Sequence, residues 1–85
     1  MFVVRIKRPN EDFDFKALKS KKAATARFRT AQTEMIDGAV EDCALFDAPT
    51  SDAEHAVTMV NQGKARLIES NLDSGAPRRS SAQRP

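Results

Sequence analysis

The sequence predicts a small α+β fold: a two-layer α/β sandwich with the element order ββαβαβ and both helices on one face of a small sheet. Segments in which apolar and polar residues alternate, as in strands, are interspersed with segments that repeat with a helical period. Two amphipathic helices each need an apolar surface to pack on, and one sheet face can supply it for both. The length of 85 residues, with 40% hydrophobic and 31% charged residues, fits a single small globular domain.

The N-terminal region predicts a β-hairpin. Residues 2–8 (FVVRIKR) alternate, which turns the even-numbered side chains towards a core and Val3, Arg5 and Lys7 towards solvent. Residues 13–18 (FDFKAL) alternate again and predict a second strand that pairs with the first. The alternative is that this second segment belongs to the helix that follows it.

The segment from Ser20 to Gly38 predicts the longest helix. The Ser20 hydroxyl can accept a hydrogen bond from the free N–H groups of the first turn. Gly38 suits the left-handed residue that commonly follows a helix. Four apolar residues recur on one helical face and are expected to pack on the sheet: Ala24, Phe28, Ala31 and Met35.

The second half of the domain predicts a strand, a helix and a last strand. Residues 40–47 contain a continuous apolar run, which is typical of a central strand. Ser51 and Glu54 have the spacing of a capping box, and Gly63 is placed to end the helix. The apolar stripe of this helix comprises Ala53, Ala56, Val57 and Val60. Residues 65–69 predict the last strand.

The composition predicts one domain with a tail. Residues 1–72 are expected to form the domain, and residues 73–85 (DSGAPRRSSAQRP) a disordered basic tail, because the tail is poor in apolar residues. The single cysteine, Cys43, excludes an internal disulfide and fits a reducing compartment. No apolar run approaches the ~20 residues of a membrane helix, and the first residues do not resemble a signal peptide. We therefore expect a cytoplasmic protein without membrane contact.

The pattern of reactive residues does not favour catalysis. His55 is predicted on the solvent side of the second helix, without the cleft and orienting partner that a general base needs. Cys43 lies in an apolar run beside acidic residues, an unfavourable environment for a thiolate. One Cys and one His cannot build a zinc site within one chain, and the three glycines are isolated rather than grouped around a phosphate. The sequence predicts a non-enzymatic protein without a metal or cofactor.

The charges are distributed unevenly although the net charge is only +2. Residues 1–33 carry +6, residues 34–54 carry −7 and residues 55–85 carry +3. Such asymmetry can steer a partner towards one side of a protein. The basic candidates for a binding surface are Arg5, Lys7, Lys22, Arg27 and Arg29. The acidic candidates are Glu34, Asp37, Glu41 and Asp42.

These observations favour a small interaction domain that binds another protein, as an adaptor, regulator or inhibitor of a larger machine. An open sheet leaves at least one edge exposed, which is also a route to a homodimer. The alternative is a nucleic-acid-binding protein that uses the basic N-terminal half and the arginines of the tail. That alternative lacks a helix-turn-helix or RNP-like motif, and the phenylalanines pattern towards the core rather than into a stacking platform.

Overall fold

Four antiparallel strands and two helices make up the fold in this computed structural model, which describes residues 1–70. The predicted α+β fold and its order ββαβαβ are confirmed. The elements are β1 (Phe2–Lys7), β2 (Asp14–Leu18), α1 (Lys21–Ile36), β3 (Asp42–Asp47), α2 (Ala53–Asn61) and β4 (Arg66–Ser70). The predicted tail, residues 73–85, lies outside the described residues.

The strands lie in the order β2-β1-β3-β4. The predicted hairpin is confirmed, since β1 pairs with β2 in antiparallel fashion and sets Arg5 opposite Phe15. β1 also pairs with β3, so these two strands are central, whereas β2 and β4 are the edges. β4 carries an extra residue, Ile68, between the residues opposite Leu45 and Phe46, which makes a β-bulge.

The two helices lie on opposite faces of the sheet, so the prediction of both helices on one face is wrong. α1 buries Phe28 against Val4 and Leu45. α2 buries Ala56 against Val3 on the other side. The fold therefore has three layers, with the sheet between the helices.

The reason for three layers is that β1 is apolar on both sides. Val3 and Val4 point to opposite faces of the sheet, and both are 0% exposed. The sequence placed Val3 on a solvent-exposed face with Arg5 and Lys7, whereas α2 covers Val3 together with Ala17 of β2. A helix on one face could bury only one of the two valines. We call the side with Val4 the α1 face and the side with Val3 the α2 face.

Both helices end at the predicted glycines. Gly38 and Gly63 adopt positive φ angles of 81° and 74°. After α1, the N–H groups of Gly38 and Ala39 donate to the carbonyls of Met35 and Glu34, which is the hydrogen-bond pattern of a Schellman motif. The predicted start of α1 is confirmed as well, since the Ser20 hydroxyl accepts a backbone N–H of the first turn at 3.2 Å.

The N-cap of α2 is Asp52 rather than Ser51, so the predicted capping box is wrong by one residue. The Asp52 carboxylate accepts the His55 N–H at 2.8 Å, and the Asp52 N–H donates to the Thr50 hydroxyl at 3.2 Å. A carboxylate at the positive end of a helix accepts a stronger hydrogen bond than a neutral hydroxyl does. This difference favours the later start.

The packing of α2 leaves part of its predicted apolar stripe outside the core. Ala56 and Val60 are buried as predicted, and Met59 joins them against the sheet. Ala53 is exposed, however, and Val57 is only half-buried. These two side chains line one wall of the groove described below.

Across residues 1–70, neither helix combines the length and apolar character needed to cross a bilayer.

Candidate binding site at the edge of the sheet

A groove runs between the edge strand β2 and the helix α2. Residues 15–18 form its strand wall, and Ala53, Glu54, Val57 and Thr58 form its helix wall. The groove is open to solvent and has a volume of about 700 Å³. Consecutive residues of a strand point to opposite faces, so four lining residues in a row indicate that the groove exposes the edge of β2 as well as one face.

Within residues 1–70, the backbone of β2 has no strand partner on the side of the groove. β2 has one strand neighbour, β1, among the described strands. In such an edge strand, alternate residues turn their N–H and C=O groups away from the neighbouring strand. None of the loop and cap hydrogen bonds within residues 1–70 uses these groups. The edge can therefore accept a further strand.

The walls of the groove are apolar and its rim is charged. Phe15 and Ala17 contact the small core between the sheet and α2. Ala53 and Val57 stand one helical turn apart on the opposite wall, where side chains four residues apart are neighbours. The exposed residues Lys16 and Glu54 supply charges of opposite sign on the two walls. The wall chemistry suits a polypeptide in which apolar and polar side chains alternate.

Beside the groove, on the α2 face, the Arg5 guanidinium lies between two phenylalanine rings. Its Cζ atom is 4.9 Å from the ring centroid of Phe13 and 5.0 Å from that of Phe46. Phe13 is 48% exposed, and its ring centroid is 6.4 Å from that of Phe15. The prediction that the phenylalanines pattern towards the core is therefore wrong for Phe13. α2 packs at the Ala17 end of β2 and leaves the Phe13 end uncovered.

Arg29, a predicted binding residue, ties α1 to β4. Its Nη1 and Nη2 atoms donate to the two carboxylate oxygens of Glu69 at 2.6 and 3.0 Å. Bidentate pairs of this kind are the strongest geometry between arginine and a carboxylate. The hydrogen bond to Glu69 also raises the pKa of Arg29. The guanidinium is thus occupied within the fold.

Two further ion pairs join predicted basic and acidic candidates to each other. Arg27 Nη1 lies 3.9 Å from Glu34 Oε1 on α1, and Lys7 Nζ lies 3.7 Å from Glu41 Oε1. The second pair forms because β1 runs beside β3, which sets Lys7 opposite Asp42 and next to Glu41. The two oppositely charged segments therefore neutralise one another in part instead of forming two separate surfaces.

Lys22 and Asp37 stay on the surface. Lys22 is exposed in the first turn of α1, with Lys21 beside it and Lys19 just before the helix. Within residues 1–70, no carboxylate is at ion-pair distance from these three lysines. Asp37 is exposed as the C-cap of the same helix. The lysines form a small basic cluster at the start of α1, at the opposite end of the helix from Asp37.

The predicted environments of Cys43 and His55 are confirmed. Cys43 is 1% exposed, its Sγ lies 3.8 Å from Met35 Sδ, and its N–H donates to the Asp42 carboxylate at 2.9 Å. Burial raises the pKa of the Cys43 thiol to about 11, and the negative charges of Asp42 and Glu69 add to this effect. A thiol of this pKa is a poor nucleophile at neutral pH. His55 is exposed on α2.

The groove residues differ in kind from the predicted site residues, which are all charged. The sequence pattern assigns Phe15, Ala17, Ala53 and Val57 to the core. Their alternation on a short strand and their spacing on a short helix do indicate that each element has an apolar side. Which strand lies at the edge depends on the strand order, and local periodicity carries no information on that order.

No protein-family model, curated protein sequence or solved structure matches this chain. The site is therefore interpreted from its own geometry and chemistry.

Proposed function

We propose that this chain is a non-enzymatic interaction domain that binds an extended segment of a protein by adding it as a strand to β2. The observation that carries the proposal is the apolar groove directly beside a strand edge that has no partner within residues 1–70. In strand addition, main-chain hydrogen bonds supply affinity and pockets beside the strand select alternate side chains. The edge of β2 can supply the main-chain hydrogen bonds, and the groove can supply the pockets.

The groove also favours a particular kind of segment. A strand added to β2 turns every second side chain towards α2. There it meets Ala17 on the sheet and the small apolar side chains Ala53 and Val57 on the helix. Lys16 and Glu54 at the rim favour polar or charged residues at the positions between. The expected partner segment thus alternates apolar and polar residues.

The environments of the two reactive side chains support the non-enzymatic part of the proposal. The Cys43 thiol is buried and has a raised pKa, and His55 stands in solvent on α2. Neither residue lines the groove. A nucleophile and a base in working contact would be needed for covalent catalysis.

Nucleic-acid binding is the second candidate function, and the basic cluster of Lys19, Lys21 and Lys22 favours it. Exposed amines without carboxylate partners in the described part of the chain are free to contact phosphates. The support is narrower than the sequence suggested, because Arg27 and Arg29 are paired with carboxylates. This candidate predicts affinity that falls steeply as salt rises.

The deciding experiment is an affinity pull-down of the tagged full chain from native lysate, with and without nuclease, at low and moderate salt. Each captured protein is then added back to the purified chain, and amide hydrogen exchange is measured. A partner bound by strand addition should survive nuclease and should slow exchange in residues 14–18. Captured material that disappears with nuclease or modest salt would instead establish the second candidate.

A matched pair of variants links the binding to the groove. Val57→Lys puts a charge on the helix wall, and lysine has a higher helix propensity than valine. Ala26→Lys makes the same kind of change at an exposed position of α1. The proposal expects loss of binding for the first variant only. Equal binding by both variants, or slowed exchange confined to α1, would refute strand addition at β2.

A further inference from the structure

We propose that the strand added to β2 is the β2 strand of a second copy, which makes the protein a two-fold dimer with one continuous eight-stranded sheet. This inference rests on the proposed function and names its partner. The observation behind it is that β2 is complementary to itself when two copies run antiparallel. A two-fold axis perpendicular to the sheet generates this arrangement, because it brings the same patch of both copies together.

The charges on β2 select one register. In an antiparallel pair, residues directly opposite each other point to the same face of the sheet. The two-fold axis must therefore relate two copies of one residue that lie opposite each other, because consecutive residues point to different faces. With the axis at Phe15, Asp14 of each copy lies opposite Lys16 of the other. With the axis at Lys16, the two lysines would face each other, and like charges directly opposite destabilise a pair. With the axis at Ala17, Lys16 would lie opposite Leu18 and Asp14 opposite Ser20, so neither charge would face a charge of opposite sign.

The ion-pair geometry within one copy is compatible with this register. Asp14 and Lys16 lie on the α1 face, opposite Ile6 and Val4 of β1. Their side chains are 44% and 52% exposed, and their own contact is a long one of 4.0 Å. The Asp14 carboxylate is also 3.4 Å from Arg8. Both side chains therefore retain exposed surface for a partner strand.

The α2 face supplies apolar complementarity in the same register. Phe15 lies opposite its own equivalent, and Phe13 lies opposite Ala17 of the second copy. Ala17 is on the strand wall of the groove, so the half-exposed Phe13 ring of one copy enters the groove of the other. Each dimer thus contains two such contacts, in which Phe13, the most exposed phenylalanine, fills the groove of the other copy. Opposed aromatic side chains stabilise antiparallel pairs.

The two copies of α2 leave room for this arrangement. α2 lines residues 15–18, the half of β2 that follows the axis at Phe15. In the second copy the same half runs in the opposite direction. The two α2 helices therefore stand at opposite ends of the paired strands.

The test is the oligomeric state of the full chain, measured by sedimentation velocity over a wide concentration range. The wild-type chain should dimerise. Asp14→Lys and Lys16→Asp should each weaken the dimer about tenfold or more, because two cross-strand attractions become two repulsions. An equimolar mixture of the two variants should regain the dimer: each introduced lysine faces an introduced aspartate, and the native Lys16 faces the native Asp14.

Matched controls are Lys22→Asp in the first turn of α1 and Asp37→Lys at its C-cap, which make the same charge changes at exposed positions. They should dimerise like the wild-type chain. Circular dichroism checks that every variant folds. Amide exchange of the unmodified chain gives a second measurement that needs no variant, since protection of residues 14–18 should rise with protein concentration.

A wild-type chain that stays monomeric, with exchange in residues 14–18 independent of concentration, would overturn the dimer. Dimers that persist in both single variants would overturn it as well, and so would a mixture that remains monomeric. The proposed function fails separately, only when a monomeric chain also shows no slowed exchange in residues 14–18 with any captured polypeptide.

Discussion

The Arg5 guanidinium group packs on aromatic rings of the α2 face instead of extending into solvent. In a strand that alternates between apolar and basic residues, it has the pattern of a solvated side chain. It lies instead over the rings of Phe13 and Phe46, 4.9 and 5.0 Å from their centroids. The planar cation stacks on the Phe46 ring and on the Phe13 ring, which lies outside the core beneath α2. Its hydrocarbon stem can bury alongside the rings at the same time.

Replacing Arg5 should therefore reduce the stability of the fold. Arg5→Ala removes two cation–π contacts, each worth about 0.5–1 kcal/mol, and we expect the free energy of unfolding to fall by about 1–2 kcal/mol. The free energy of unfolding of Arg5→Lys should lie between those of the wild-type chain and Arg5→Ala, because the compact ammonium group stacks less well on the rings. Urea unfolding measures both. Lys22→Ala is an exposed control and should change the free energy of unfolding by no more than about 0.5 kcal/mol. An Arg5→Ala effect as small as that of the control would contradict a stabilising role of the Arg5 cation–π contacts.

Cys43 should make stability depend on alkaline pH. Burial raises the thiol pKa from 9.0 to about 11 in the folded state. Between pH 9 and pH 11 the unfolded chain binds fewer protons than the folded chain, so the contribution of Cys43 is full below pH 9 and is lost as pH rises to 11. The total loss is about 2–3 kcal/mol, from two pKa units at about 1.4 kcal/mol each.

The measurement is the free energy of unfolding from denaturant titrations at several pH values in this range. Cys43→Ala is the reference, because every other titrating group is common to both proteins. The wild-type chain should lose more stability than the variant as pH rises. Parallel pH profiles would mean that the folded and unfolded thiols titrate alike.

At the scale of the elements, the start of α2 allows the capping contributions of two adjacent residues, Ser51 and Asp52, to be compared. Asp52→Ala removes the carboxylate that accepts the His55 N–H at 2.8 Å, and we expect a loss of about 1 kcal/mol. Ser51→Ala should cost little, since the Ser51 hydroxyl has no role in the cap. Thermal or urea unfolding of the two variants decides between them. A larger loss of stability for Ser51→Ala than for Asp52→Ala would show that Ser51 caps the helix, as the capping-box prediction requires.

The helix ends show what the sequence can predict about an element. Gly38 and Gly63 were predictable because few other residues accept a left-handed conformation without strain. The start of α2 was not, because Ser51 and Asp52 are both good caps and the choice depends on one backbone conformation. The face of α2 was only partly predictable: Ala56 and Val60 are buried, but the exposure of Ala53 depends on where the helix lies on the sheet.

At the scale of the whole molecule, the layers and the charge pairs follow from the strand order. The even and odd residues of β1 are each apolar enough to be buried, as Val4 and Val3 show. Deciding which helix covers which side requires the paths of both helical connections, from β2 to β3 and from β3 to β4. In the same way, the pairing of Lys7 with Glu41 exists because β1 runs beside β3. Charge counted along the chain therefore overestimated the separation of charge in space.

The cores on the two faces of the sheet should differ in stability. Among the described residues, the core on the α1 face contains eight buried residues, and the core on the α2 face contains four. We therefore expect α2 to open locally at a lower free energy than α1. Native-state hydrogen exchange at increasing denaturant measures both. Exchange of α1 and α2 with one common free energy would contradict this prediction.

Core variants sharpen the comparison. Val60→Ala should accelerate exchange in α2 and leave α1 nearly unchanged. Phe28→Ala should destabilise the whole chain by about 3–5 kcal/mol, because it opens a large cavity against both central strands. A global effect of Val60→Ala would show that the two cores unfold as one unit.

The two edges of the sheet are built differently, and this limits how far assembly can go. β4 is bulged at Ile68, and its Arg66 holds Asp47 at 3.3 Å. Bulges and charged side chains make an edge a poor template for another strand. A chain with one receptive edge can form a closed pair, whereas a chain with two could grow into a fibre without end. The irregular β4 thus disfavours amyloid-like growth of a chain whose other edge, β2, is open among the described strands.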